Sequence, residues 1–213
     1  MAELRRPRVL LADDHALVAA GLSKLLESDF DLIGTVSDGR ALVTAAQQDH
    51  PDVILLDISM PNLNGLEAAR QIRTAAPACK LIFVTVHSEA AYVAEAFRAG
   101  ASGYVLKRSA ASELSAAIHE VLNSRIYLTP LISGPAMDSG LQAGDQQPGM
   151  LSARQREVLQ LVAEGYSAKE IAEILRISSK TVEFHKGLVM KKLDLHSTAE
   201  LTRYALERGI TGN

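Results

Sequence analysis

The chain has 213 residues, 47% hydrophobic and 22% charged, which suits one medium and one small folded domain and excludes a disordered or fibrous protein. No apolar run approaches the roughly 20 residues of a membrane span, and Asp13-Asp14 stop the first one short of a signal sequence, so a cytoplasmic protein without a membrane partner is expected. The single Cys79 excludes an internal disulfide, and charge is unevenly divided: residues 1–150 hold 12 Lys and Arg against 17 Asp and Glu, residues 151–213 hold 10 against 8.

Along the first 125 residues, short apolar runs at 8–12, 31–36, 53–57, 80–85 and 103–106 alternate with helical periodicity at 15–28, 39–49, 64–75, 90–99 and 112–124. Continuous apolar strands separated by helices predict an α/β domain, a flavodoxin-like doubly wound sheet of five parallel strands. Four of the runs end in a polar residue: Asp13-Asp14, Asp57, Thr85 and Lys107. Because ligands of such sheets bind at strand carboxyl ends, these side chains are expected in one pocket.

Residues 126–149 are dense in Pro and Gly and read as a linker, whose apolar start, Ile126 to Ile132, is suited to packing on one of the domains it joins. Residues 150–213 read as a small all-α domain. Three helix starts match the capping box: Ser152 with Gln155, Ser167 with Glu170, and Ser197 with Glu200. Gly165 stands where the first helix should stop, and the short turn Ile177-Ser178 before a helix from Ser179 completes a helix-turn-helix pattern.

The segments ADDH, DISMPNLNG, VTVH and YVLK resemble the receiver domain of two-component response regulators, over residues 1–125. The resemblance implies that Asp57 accepts a phosphoryl group from a sensor histidine kinase. It implies Mg²⁺ held by Asp14, Asp57 and the backbone oxygen of Ser59, with Asp13 on a metal-bound water, and Lys107 and the Thr85 hydroxyl on phosphoryl oxygens. These are hard oxygen donors and point charges of the kind that such chemistry needs. Taken singly, each residue has a plain alternative: an Asp pair caps a helix, a strand-end Asp forms a turn, a Lys is solvated. Their common placement favours the phosphoacceptor site.

In the same family Thr85 is coupled to an aromatic residue on the last strand, here Tyr104, which is expected to rotate inward on phosphorylation; a static buried tyrosine is the alternative. Ser59 and His87, each two residues past a site residue, are candidates for tuning hydrolysis of the phosphoryl group. His15 reads as a helix-start residue, not a metal ligand.

The segment LSARQREVLQLVAEGYSAKEIAEILRISSKTVEFHKGLVMKKL resembles the LuxR-type helix-turn-helix of NarL/FixJ response regulators. On its third helix Val182, Val189 and Leu193, with His185 between them, share an inward face. The opposite stripe is expected in the major groove of double-stranded DNA, Lys180, Thr181, Lys186, Lys191 and Lys192 on phosphates, and Glu183, Phe184 and Gly187 nearest base edges. Glu183 and Gly187 stand where relatives often carry long basic side chains, so Glu183 is assigned to cytosine N4 or, equally, to an intrahelical pair with Lys186 or Lys180. Leu201, Tyr204 and Ala205 of the last helix are candidates for a dimer contact, with core packing the alternative for Leu201.

The resulting expectation is a phosphorylation-controlled transcription regulator, not an enzyme, whose unphosphorylated receiver masks the recognition helix. It forms a homodimer on pseudo-palindromic sites when phosphorylated, and RNA polymerase is a further candidate partner. An aspartyl-nucleophile phosphatase is disfavoured because Ser59 occupies the place of its second aspartate. A DNA-binding protein that ignores phosphorylation and uses the receiver only to dimerise is the other alternative.

Overall fold

A computed structural model describes residues 5–132 and 151–211. Its larger domain is a parallel sheet in the order β2-β1-β3-β4-β5-β6, built from β1 (Arg8–Ala12), β2 (Asp31–Val36), β3 (Val53–Leu56), β4 (Lys80–Thr85), β5 (Gly103–Leu106) and β6 (Tyr127–Leu128). Between them run α1 (Ala16–Leu26), α2 (Gly39–Asp49), α3 (Gly65–Ala75), α4 (Ala90–Ala99) and α5 (Ala110–Leu122). Strand alternation sorts the core into two layers. Leu10, Ile54, Leu56, Phe83 and Tyr104 pack under α2, α3 and α4, while Val9, Leu11, Leu55, Val84 and Val105 pack under α1 and α5.

A sixth strand departs from the expected five. Tyr127 donates its N–H to Ser102 O at 3.1 Å and Thr129 to Tyr104 O at 3.0 Å, so the apolar start of the expected linker packs on the sheet. Thr129, fully buried, also accepts from Leu106 N–H at 3.1 Å and donates to Glu113 at 2.8 Å. These bonds satisfy backbone groups of β5 that an edge strand would leave open. The Pro- and Gly-rich remainder of the expected linker, 133–149, lies outside the described residues.

The smaller domain contains α6 (Ala153–Ala163), α7 (Ala168–Leu175), α8 (Ser179–Leu193) and α9 (Thr198–Glu207), closed around Val158, Leu161, Ile171, Val182, Val189 and Leu201. Ser152/Gln155 and Ser167/Glu170 form complete capping boxes. The third is displaced: Ser197 Oγ caps Glu200 N–H, but the Glu200 carboxylate accepts from His196 N–H at 2.7 Å. Gly165, at φ 90°, stands after the end of α6 in the left-handed region that glycine occupies without strain.

The two domains are joined by a polar interface on α6. Arg156 Nε lies 2.8 Å from Glu67, and Arg40 lies 2.9 Å from Glu157. The Gln160 amide donates to Met60 O at 2.9 Å and accepts from Asn64 N–H at 2.7 Å. Glu164 accepts from Asn62 N–H at 3.2 Å. At the far end, Gly209 sits against the Tyr92 ring of α4, so closely that a Cβ there would fall 2.2 Å from the phenol oxygen.

Candidate functional site

The carboxyl ends of β1, β3 and β5 converge. Asp13 follows β1, Asp57 follows β3, and both are 3% exposed, whereas Asp14 is open to solvent. Lys107, just past β5, reaches between the two buried acids, its Nζ 2.8 Å from Asp13 Oδ2 and 2.7 Å from Asp57 Oδ2. Burial pulls its ammonium pKa down, but the charges of Asp57 and Asp13 outweigh that and hold it above its ordinary value. The other Asp57 oxygen accepts from Ile58 N–H at 2.6 Å. Gly65 lets α3 begin directly behind Asp57, since a Cβ there would lie 1.9 Å from Asp57 O.

Asp13, Asp14, His15 and Asp57 present ligand atoms within 4.8 Å of one another. Asp13 Oδ2 has the Lys107 ammonium at 2.8 Å as its partner, and Asp13 Oδ1 accepts from His15 N–H at 2.9 Å. Three carboxylates are a hard-ion donor set and fit Mg²⁺. His15 is the N-cap of α1, as read from the sequence, and its Nδ1 lies 2.9 Å from Asp14 Oδ1. A groove of about 510 Å³, lined by Asp13, Asp14, Ala16, Ala19 and Thr35 among others, opens beside the acids and gives a hydrated ion access to them.

Thr85, fully buried at the end of β4, accepts from His87 N–H at 3.4 Å. Ser59 and His87, singled out separately, are brought together: Ser59 Oγ lies 3.1 Å from His87 Nε2. Tyr104 is already fully buried, its ring 6.3 Å from Phe83 and its hydroxyl donating to His87 O at 2.8 Å. Burial raises the phenol pKa strongly. Rotation inward therefore has no exposed starting point in this arrangement.

On α8, Val182 and Val189 are buried, and Leu193 and His185 are half-buried, His185 with an unpartnered buried Nδ1. Lys180, Glu183, Phe184, Gly187, Lys191 and Lys192 are exposed, Phe184 to 62%. Lys186 and Thr181 are half-buried, and the Thr181 hydroxyl lies 2.8 Å from Ser178 Oγ. Glu183 is in no ion pair among the described residues, so the alternative pair with Lys186 or Lys180 is not formed in this arrangement. Most of the outward stripe is exposed and the receiver's contacts run to α6, so among the described residues the expected masking of the recognition helix is not present in this arrangement. Leu201 and Ala205 are fully buried in the small domain's own core, and only Tyr204 of the three dimer candidates reaches the surface. The α6 residues at the interface were not singled out from the sequence, because a run of charged and amide side chains reads as a solvated face.

Residues 9–119 match the family described as response regulator receiver domain, and residues 149–205 match the LuxR family of bacterial regulatory proteins. The chain is a two-component response regulator of the NarL/FixJ type. The regulator is 36% identical to the oxygen regulatory protein NreC of Staphylococcus carnosus over 211 residues, 94% of this chain and 97% of that one. It is 35% identical to the transcriptional regulatory protein MctR of Rhizobium johnstonii, over 99% and 98% of the two chains. Among solved structures, Salmonella typhimurium RcsB aligns over 98% of this regulator and 100% of its own chain, at 27% identity and a TM-score of 0.66. A structure of two RcsB dimers bound to two parallel DNAs aligns with a TM-score of 0.59, at 27% identity, covering 94% and 98%.

Proposed function

We propose that Asp57 accepts a phosphoryl group from the phosphohistidine of a sensor kinase and that this controls binding of α8 to double-stranded DNA. The observation that carries the reading is the single charge of Lys107 between two buried carboxylates at strand ends. A carboxylate oxygen of Asp57 attacks phosphorus; a P–O bond forms as the donor's P–N bond breaks, and the leaving imidazole takes a proton. Lys107 neutralises the charge gathered on the phosphoryl oxygens, and the Thr85 hydroxyl donates to one of them. Mg²⁺ held by Asp14, Asp57 and the Ser59 backbone oxygen, with Asp13 on a metal-bound water, would screen the acceptor from the incoming group. The stripe on α8 reads DNA through the lysines on phosphates and through Glu183 and Phe184 on bases, with Tyr204 at the surface of α9 for a homodimer contact.

The test is acetyl phosphate with Mg²⁺, followed by mass spectrometry and by selection of bound DNA fragments. The wild type should gain one phosphoryl group, Asp57→Asn none, and the phosphorylated protein should enrich its fragments more strongly. The exposed stripe on α8 favours a second reading, DNA binding that ignores phosphorylation with the receiver serving only to dimerise. Equal enrichment by phosphorylated and unphosphorylated protein would select it.

A further inference from the structure

The phosphoacceptor loop is held from outside its own domain. Between Asp57 and the start of α3, the backbone groups Met60 C=O, Asn62 N–H and Asn64 N–H are all taken by side chains of the small domain: Gln160 binds the first and third, Glu164 the second. Gln160 is 0% exposed, and its amide also donates to Glu164 Oε1 at 2.7 Å, so its orientation is set. The Tyr166 hydroxyl lies 3.4 Å from the Asn62 side chain, and Asn62 itself sits at φ 64°, a left-handed conformation costly for most residues. Asn64 in turn caps α3 through Glu67 N–H, and Glu67, 2% exposed, is paired by Arg156. Loop, cap and helix start are thus braced by one face of α6.

We infer that Gln160, with Glu164, is a positioning residue for the phosphoryl site, so that docking of the DNA-binding domain restrains phosphoryl uptake at Asp57. The inference rests on the phosphoacceptor reading and adds to it the direction of control, from the DNA-binding domain to the receiver. The loop between Ile58 and Asn64 carries the Ser59 oxygen assigned to the metal and the Ser59 hydroxyl that meets His87. A loop pinned at three backbone groups adjusts less readily to a metal and a phosphoryl donor than a free one. Binding linkage then requires the reverse effect: whatever the phosphoryl site does to this loop changes how tightly α6 is held. The control does not act by covering Glu183 and Phe184, which stay exposed. It acts by coupling the orientation of the small domain to the state of Asp57.

The experiment uses the full chain and two variants on opposite sides of the interface. Gln160→Glu puts a second carboxylate against Glu164 and the Met60 carbonyl oxygen in the closed contact, and Arg40→Glu sets a carboxylate against Glu157. Amide hydrogen exchange reads the clasp directly: Asn62 and Asn64 should exchange faster in both variants, and in wild type once beryllofluoride, a phosphoryl mimic, is bound. Initial phosphorylation by acetyl phosphate with Mg²⁺ should rise about fivefold or more in both, within the usual range of coupling between sites. Unchanged exchange at Asn62 and Asn64 in both variants, or faster exchange with an unchanged phosphorylation rate, overturns the inference. No phosphoryl uptake by wild type instead removes the phosphoacceptor reading on which it depends.

Discussion

Lys107 shows how much of the site rests on one charge. Asp13 and Asp57 are both buried, and their charges are offset at 2.8 and 2.7 Å by the same ammonium. Breaking a buried pair by removing one partner costs about 3–5 kcal/mol, because the remaining charge loses its compensation without regaining water. A divalent cation at 100 times its dissociation constant stabilises the folded state by about 2.7 kcal/mol, enough to offset most of that loss. Lys107→Ala is therefore expected to melt well below wild type without Mg²⁺ and to gain more in melting temperature than wild type when Mg²⁺ is added. An equal Mg²⁺-induced shift in the two proteins would show that the acids do not share the cation and Lys107. Tyr104 gives a smaller effect of the same kind: Tyr104→Phe leaves His87 O without its 2.8 Å donor, a loss of about 0.5–1.5 kcal/mol measurable by urea denaturation.

Among the elements, α6 carries both a core face and an interface face, and its last turn is sensitive to pH. Burial raises the pKa of Glu164, against the lowering effects of the Gln160 amide, Asn62 N–H and the more distant Arg40 charge. The docked form accordingly holds a proton on Glu164 more readily than the separated form does. As pH falls from the raised value toward the ordinary 4.5, docking tightens; as pH rises through that window, docking weakens. Small-angle scattering should show a more compact protein at the lower end of this range, and Glu164→Gln should remove Glu164's part of the trend. If the substitution leaves the trend unaltered, other groups at the interface set it. On α8 the prediction is one of kind. Lys180→Ala or Lys191→Ala should weaken DNA binding evenly across sequences and reduce the salt slope by about one. Phe184→Ala or Glu183→Ala should relax base preference at one position, at about 1–3 kcal/mol.

For the whole molecule, legibility followed the physical signal each part leaves in sequence. The five main strands, and the convergence of Asp13, Asp57 and Lys107 at their ends, could be read because a buried parallel strand is a continuous apolar run that stops at a polar residue. α8 could be placed because the short turn Ile177-Ser178 precedes it and Val182 and Val189 mark its inner face. β6 could not, since a two-residue strand shows no period. The contact between domains could not either, since Arg156, Glu157, Gln160 and Glu164 are ordinary solvated residues until another domain arrives. Leu201 and Ala205 illustrate the converse: an apolar pair on a terminal helix suggests a dimer face, yet both are needed to close a core of only four helices. What α9 offers a second copy is Tyr204, 5.3 Å below the Arg208 guanidinium, with half-exposed Leu206 nearby. If paired small domains meet through this narrow patch, the distance between reading helices is fixed by the domains themselves and not by the chain that joins them to the receivers. Half-sites then have to lie on one face of the duplex, about 10 base pairs apart from centre to centre. Inserting about half a helical turn between them should abolish paired binding by the phosphorylated protein, and about a full turn should restore it only if the contact can stretch, which a patch this small cannot. Tyr204→Ala should convert paired binding into independent occupancy of each half-site. Footprinting on such a spacing series reads the outcome, and paired occupancy that tolerates every insertion would place the dimer contact in the receivers instead.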